Sequence, residues 1–234
     1  MKIFAISDLH LSTVTEKPMD IFGANWENYL ENIEEDWRAR VGEEDLVLLA
    51  GDFSWGMTTE EALPDFERIA ALPGKKVMCR GNHDYWWKSI KKLRESVPSG
   101  FFLLQNDCMR FDDVLVCGTR GWTVDERNGE EDKKIFAREV ERLKLSLKAM
   151  QDMRREEDRV ILLTHYPPFN VRRCDSEMTT LAREASVDAV VYGHLHGKDA
   201  RCDLLLFKDN IPYYLTSCDQ LGHRLREIDL FRQK

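Results

Sequence analysis

Short apolar runs rich in Ile, Val and Leu recur along the 234-residue chain, at Ile3 to Ile6, Leu46 to Ala50, Val77 to Cys79, Val160 to Leu163 and Ala189 to Tyr192. Each is the length of a buried strand, and the longer stretches between them carry apolar residues at helical spacing. Strands alternating with crossover helices are the pattern of a largely parallel sheet. Helices are predicted over Trp26 to Arg40, Thr59 to Ala71, Tyr85 to Glu95, Ile135 to Glu157 and Glu177 to Ala185, with Thr58 or Thr59 and Ser176 as caps. In the longest, Ile135, Phe136, Val140, Leu143, Leu147 and Met150 form one face against Glu, Lys and Arg, which reads as a solvated surface rather than a partner site. After Ala200 the pattern changes to closely spaced strands, Cys202 to Phe207, Ile211 to Leu215 and Leu225 to Leu230, with a hairpin turn at Lys208-Asp209-Asn210. No linker or repeat divides the chain, so one α/β domain over residues 1–234 is expected.

Composition narrows the partners. A net charge of −8 argues against a broad footprint on extended nucleic acid or an anionic membrane, which needs clustered Lys and Arg. It does not argue against a small phosphate-bearing substrate, because bound cations dominate the local field of a carboxylate-lined pocket. No apolar run approaches the ~20 residues that span a bilayer. The six cysteines, Cys79, Cys108, Cys117, Cys174, Cys202 and Cys218, are dispersed without a C-x-x-C pair or a secretory leader, which fits reduced thiols in a cytoplasm. Cys79 and Cys117 lie in apolar runs and read as small buried hydrophobes.

The chemistry lies just beyond the end of each apolar run: Asp8 and His10, then Asp52, then Asn82, His83 and Asp84, then His165, then His194 and His196. In a parallel sheet the carboxyl ends of the strands share one edge, where ligand sites form, so these motifs converge. The set is oxygen and imidazole without thiolate, which suits Mn, Fe or Zn ions. It offers more ligands than one ion needs. Two ions roughly 3.5 to 4 Å apart, sharing a carboxylate and a water-derived hydroxide, fit an in-line displacement at phosphorus.

In order and spacing, Asp8-Leu9-His10, Gly51-Asp52, Gly81-Asn82-His83-Asp84, His165 and Gly193-His194-Leu195-His196 resemble the signature blocks of the calcineurin-like metallophosphoesterase superfamily. The resemblance implies a four-layer αββα sandwich and a binuclear phosphoester hydrolase, a phosphatase or phosphodiesterase whose bridging hydroxide attacks a small phosphoester. It implies that Asp8, His10 and His196 bind one metal, that Asp52 bridges, and that Asn82, His165 and His194 bind the second. Manganese is the ion expected to serve in vitro. His83 resembles the family's catalytic histidine, acting on the leaving oxygen, with Asp84 orienting its ring. The fourth block departs slightly: His165 sits in Thr164-His165-Tyr166-Pro167-Pro168 without a preceding glycine.

Other residues are less legible. Trp55, Trp86 and Trp87 adjoin the blocks and read as packing residues before stacking ones, and His223 reads as structural. The segment from Thr119 to Glu130 is expected to overhang the metal edge and bring Arg120 and Trp122 near substrate; Arg172 and Arg173 border the same edge. The alternative enzyme is a nuclease or cyclic-nucleotide phosphodiesterase. The alternative from another class is a non-catalytic protein-binding scaffold, a reading the full ligand set weighs against.

Overall fold

The computed structural model describes residues 1–125, 127–197, 200 and 202–230. The first half of the described chain runs β1 (Ile3–Ile6), α1 (Tyr29–Arg40), β2 (Leu46–Leu49), α2 (Thr59–Ala70), β3 (Lys75–Cys79), α3 (Ile90–Ser96) and β4 (Phe101–Leu104). The second continues through β5 (Cys108–Phe111), β6 (Val114–Thr119), α4 (Glu130–Met153), β7 (Arg159–Thr164), α5 (Glu177–Glu184), β8 (Ala189–Tyr192), β9 (Leu205–Lys208), β10 (Ile211–Leu215) and β11 (Arg226–Glu227).

These strands form two mixed sheets, not the one parallel sheet that their alternation with helices first suggests. One has the order β11-β1-β2-β3-β4 and the other β5-β6-β7-β8-β10-β9. The antiparallel strands are confined to the margins: β11 on β1, β5 on β6 and β9 on β10. The parallel centre of each sheet therefore points its carboxyl ends one way. Alternation of side chains along β1 to β3 sends Ile3, Ala5, Leu46, Leu48, Val77 and Cys79 to a layer shared with Val114, Val116, Ile161, Leu163 and Val191 of the second sheet. The opposite residues, Phe4, Ile6, Val47, Leu49 and Met78, pack on Ile33, Trp37, Phe66 and Leu93 of α1, α2 and α3. On the far side, Leu115, Leu162 and Val190 meet α4 and α5 through Val140, Leu143, Leu147, Met150 and Met178. The result is the four-layer αββα sandwich.

Helix starts follow local chemistry. The Thr58 hydroxyl accepts from the Glu61 amide to cap α2, and Ser176 makes a reciprocal capping box with Thr179 at α5. Two predicted starts come late in the structure. α1 begins after Asn28, whose left-handed backbone closes a short turn around the buried Trp26. α3 begins at Ile90 because the preceding residues form turns: the Tyr85 amide donates to the His83 carbonyl and the Trp87 amide to the Asp84 carbonyl. The turn at Asp209-Asn210 is as expected, both residues having positive φ.

Candidate metal centre

At the carboxyl ends of β1, β2 and β8 the chain turns sharply, and four candidate ligands have left-handed backbone: Asp8 (φ 57°), His10 (φ 48°), Asp52 (φ 52°) and His194 (φ 70°). Such conformations in non-glycine residues are costly and persist where the surroundings over-determine them. Here hydrogen bonds hold them. The Asp8 amide donates to the Gly51 carbonyl, and the His10 and Leu11 amides to the carbonyls of Asp52 and Phe53, so the first two loops run side by side. Close approach needs glycine at two points. A Cβ on Gly81 would collide with the Asp52 amide and carboxylate, and one on Gly193 with Ser7 and Asp8.

The loops bring two donor groups together, Asp8, His10, Asp52 and His196 in one and Asp52, His165 and His194 in the other, their ligand atoms all within 4.8 Å within each group. Asp52 belongs to both. Its Oδ2 lies 3.9 Å from His10 Nε2 and 3.5 Å from His165 Nε2. Asn82 joins the second group, its Oδ1 being 2.7 Å from His165 Nε2.

The donors fit cations. His165 Nδ1 lies 2.8 Å from the Ala50 carbonyl, which can only accept, so the ring proton is on Nδ1 and the Nε2 lone pair faces inward. Burial lowers the His165 pKa to about 4, so the neutral ring is its form near pH 7. Nε2 thus meets the acceptor oxygens of Asn82 and Asp52, with His194 Nδ1 at 3.3 Å. Both ring nitrogens of His10 and Oδ2 of Asp52 are buried without a hydrogen-bond partner. Burial, then the like charges of Asp8 and Asp84, push the Asp52 carboxyl up, while burial lowers His10 and lowers His194 to about 3. Inward-facing lone pairs and crowded carboxylates are what a cation would satisfy.

Asp84 is placed differently from the expectation that it orients His83. It is fully buried, and its carboxylate accepts from the backbone amides of Asp52 (3.1 Å), Phe53 (2.9 Å), Ser54 (3.4 Å) and Gly81 (2.7 Å). Its role is to fasten the Asp52 loop to the Gly81 loop. The His83 ring has other neighbours: Tyr85 hydroxyl 3.4 Å from Nδ1, Trp55 at 4.8 Å and His10 at 5.6 Å between ring centroids. The His83 amide donates to Asp52 Oδ1.

Trp55 stacks on His10 at 4.6 Å and 19°, with the Lys17 ammonium 4.9 Å from the indole centroid, so it walls the site. Trp86 and Trp87 are core residues, and His223 is a buried residue whose Nε2 bonds the Asn25 carbonyl. Arg120 and Trp122 lie on the metal edge one layer back. The Arg120 carbonyl accepts from the His165 and Tyr166 amides, which shapes the glycine-free fourth block. Its guanidinium faces buried Glu139 and the Trp122 ring; Trp122 packs on Tyr166, and Tyr166 on His194 at 4.0 Å. Of the segment from Thr119 to Glu130, Glu126 lies outside the described residues. Arg173 is paired with Asp203, and exposed Arg172 donates its amide to Asn170.

Several supporting residues have no motif to announce them. Ser7 and Ser217 hydroxyls donate to Asp8 Oδ2 at 2.6 and 2.8 Å, and Asp219 accepts from the Gly197 amide beside His196. Ser217 and Asp219 reach the site from distant sequence; only Ser7, next to Asp8, and Tyr166, next to His165, carry a positional signal.

The fold and donor sets define a metallophosphoesterase-type centre. Residues 1–198 match the family model for calcineurin-like phosphoesterases, and the chain belongs to that family. No curated protein sequence matches it. Among solved structures it is similar to a protein from Thermus thermophilus, at 14% identity and TM-score 0.61, with 98% of each chain covered. It is also similar to phosphopantetheinyl hydrolase from Mycobacterium tuberculosis, at 13% identity and TM-score 0.59, over 97% of this chain and 95% of that one. A protein of unknown function from Aquifex aeolicus aligns at 15% identity and TM-score 0.51, over 97% and 95%. At these identities the likeness shows the fold.

Proposed function

We propose that the chain is a binuclear metal-dependent phosphoester hydrolase acting on a small substrate. The observation that carries this reading is the pair of donor groups sharing Asp52. Asp8, His10 and His196 with Asp52 would hold one ion, and Asn82, His165 and His194 with Asp52 the other. When bound, two ions of the Mn, Fe or Zn type supply Lewis acidity toward phosphoryl oxygens and activate water for in-line attack.

The remaining work belongs to side chains. His83 sits at the mouth, half-buried, and can place a ring N–H on the leaving oxygen as charge develops there. Tyr85 and Trp55 fix its ring, and Asp84 fixes the loop that carries it. Six free cysteines and no described helix long and apolar enough to cross a membrane support a reading in which the protein works in a reducing cytoplasm.

The test is elemental analysis of purified protein together with hydrolysis of p-nitrophenyl phosphate and bis(p-nitrophenyl) phosphate before and after chelation. About two ions per chain and activity restored by Mn, Fe or Zn support the reading. Full activity in metal-free protein contradicts it, as does inactivity of fully loaded protein on every ester.

A further inference from the structure

Beside the second donor group the molecule opens into a cavity of about 600 Å³, within the range of small-molecule sites. His194 is both a member of that donor group and part of the cavity wall. Tyr166, packed on the His194 ring, continues the wall, and Phe169, Tyr192 and Leu206 extend it. Several of the polar groups at its rim are already engaged. Asn170 Oδ1 accepts from the amides of Arg172 and Cys174, and the Arg173 guanidinium is paired with Asp203. What the cavity offers an occupant is mainly apolar and aromatic surface.

His83 is elsewhere. Its ring neighbours are His10, Trp55 and Tyr85, beside the first donor group, and none of these lines the cavity. A phosphorus atom held between the donor groups would thus face His83 on one side and the cavity on the other. A monoester has one organic substituent, and with that turned toward His83 the cavity would be unused.

We propose that the cavity seats an apolar organic arm that stays on phosphorus, so that the substrate class is a phosphodiester. The inference rests on the hydrolase reading above. The step is balanced by water: its oxygen bonds to phosphorus, the P–O bond to the second arm breaks, and that oxygen takes a proton. The products are a phosphomonoester of the retained arm and an alcohol.

The test is a series of alkyl p-nitrophenyl phosphates, methyl to hexyl, with one leaving group throughout, beside p-nitrophenyl phosphate. At ~0.8 kcal/mol per buried methylene, kcat/KM should rise roughly 3- to 4-fold per carbon while the arm is within the cavity. Leu206→Trp, which adds bulk to the cavity wall, should blunt the series, the longest arms losing most. Val171→Glu, at a rim position that is 91% exposed, does the same through charge without threatening the fold. A second readout is calorimetric binding of hexylphosphonate against methylphosphonate, with the hexyl compound at least ~10-fold tighter to wild type and not to Leu206→Trp. A flat series, a preference for the monoester, or discrimination that survives both variants would overturn the proposal. Preferential binding of hexylphosphonate by a metal-loaded protein that hydrolyses no ester would keep the subsite and remove the hydrolase reading.

Discussion

The two donor groups each set two histidines beside Asp52 but differ in the fourth donor, Asp8 against Asn82, and in their surroundings. Around Asp8, His10 and His196, Trp55 lies flat on His10, and Ser7 and Ser217 hold the Asp8 carboxylate. Around His165 and His194 the inner ring is tied to a carbonyl, while the outer one is backed by Tyr166 and borders a cavity. One side is closed and carries His83; the other is open and apolar. A shared carboxylate between a closed chemical side and an open binding side separates the handling of the leaving group from the recognition of the rest of the substrate.

The largest expected effect comes from Asp52, where the two sides meet. Asp52→Asn should weaken both ions by more than ~100-fold, since a neutral amide is a poor bridge between cations, and abolish hydrolysis. Metal titration of the variant checks this; retention of both ions at near-normal rate would mean that the groups do not share Asp52.

Next comes the closed side alone. His83→Ala should keep both ions and lose roughly 10² to 10⁴ in kcat, with a smaller loss for a nitrophenolate leaving group than for an alkoxide. The readouts are metal content and the ratio of wild-type to variant rates across leaving-group pKa. A lost ion would make His83 a ligand, and a ratio independent of leaving group would remove it from that step.

Much of this arrangement is legible in the sequence, for a physical reason. β1, β8 and β10 coincide with their apolar runs because buried parallel strands are uninterrupted hydrophobic stretches, and the ligands Asp8 and His194 come directly after β1 and β8. Phe101 to Thr119 is a stretch for which the sequence reading names no strand, although the polar turns Gln105-Asn106-Asp107 and Asp112-Asp113 separate β4, β5 and β6 there. A helix reaching back to Tyr85 is wrong because Trp86 and Trp87 are apolar for the core, not for a helix face. Asp84 reads from sequence as a partner of its neighbour His83, but its carboxylate turns inward to amides thirty residues away. Adjacency in sequence identifies which loop a residue is in, not which way its side chain points.

That correction has its own expectation. Asp84→Asn replaces acceptor oxygens facing four amides with a group that has one, and should cost about 3 kcal/mol of stability, read by chemical denaturation of metal-free protein. The account of Asp84 would fail if stability held and only the leaving-group dependence changed.

The smallest effect is protonic. Burial and carboxylate neighbours raise Asp52, so its proton persists at neutral pH, whereas His165 and His194, lowered to about 4 and about 3, are already neutral there. Metal uptake at pH 7 should therefore release about two protons, one from Asp52 and one from the water that becomes the shared hydroxide, and affinity should fall as pH falls, because protons compete at Asp52. Manganese titration in buffers of different ionisation enthalpy measures the count. Release of three or more would mean that the histidines were charged.

The central claim, two ions on one shared carboxylate, is tested most directly by anomalous diffraction from manganese-loaded crystals. The account predicts two peaks roughly 3.5 to 4 Å apart, both against Asp52, one among Asp8, His10 and His196 and the other among Asn82, His165 and His194. A single peak at full loading, or two peaks of which either is out of reach of Asp52, would contradict it.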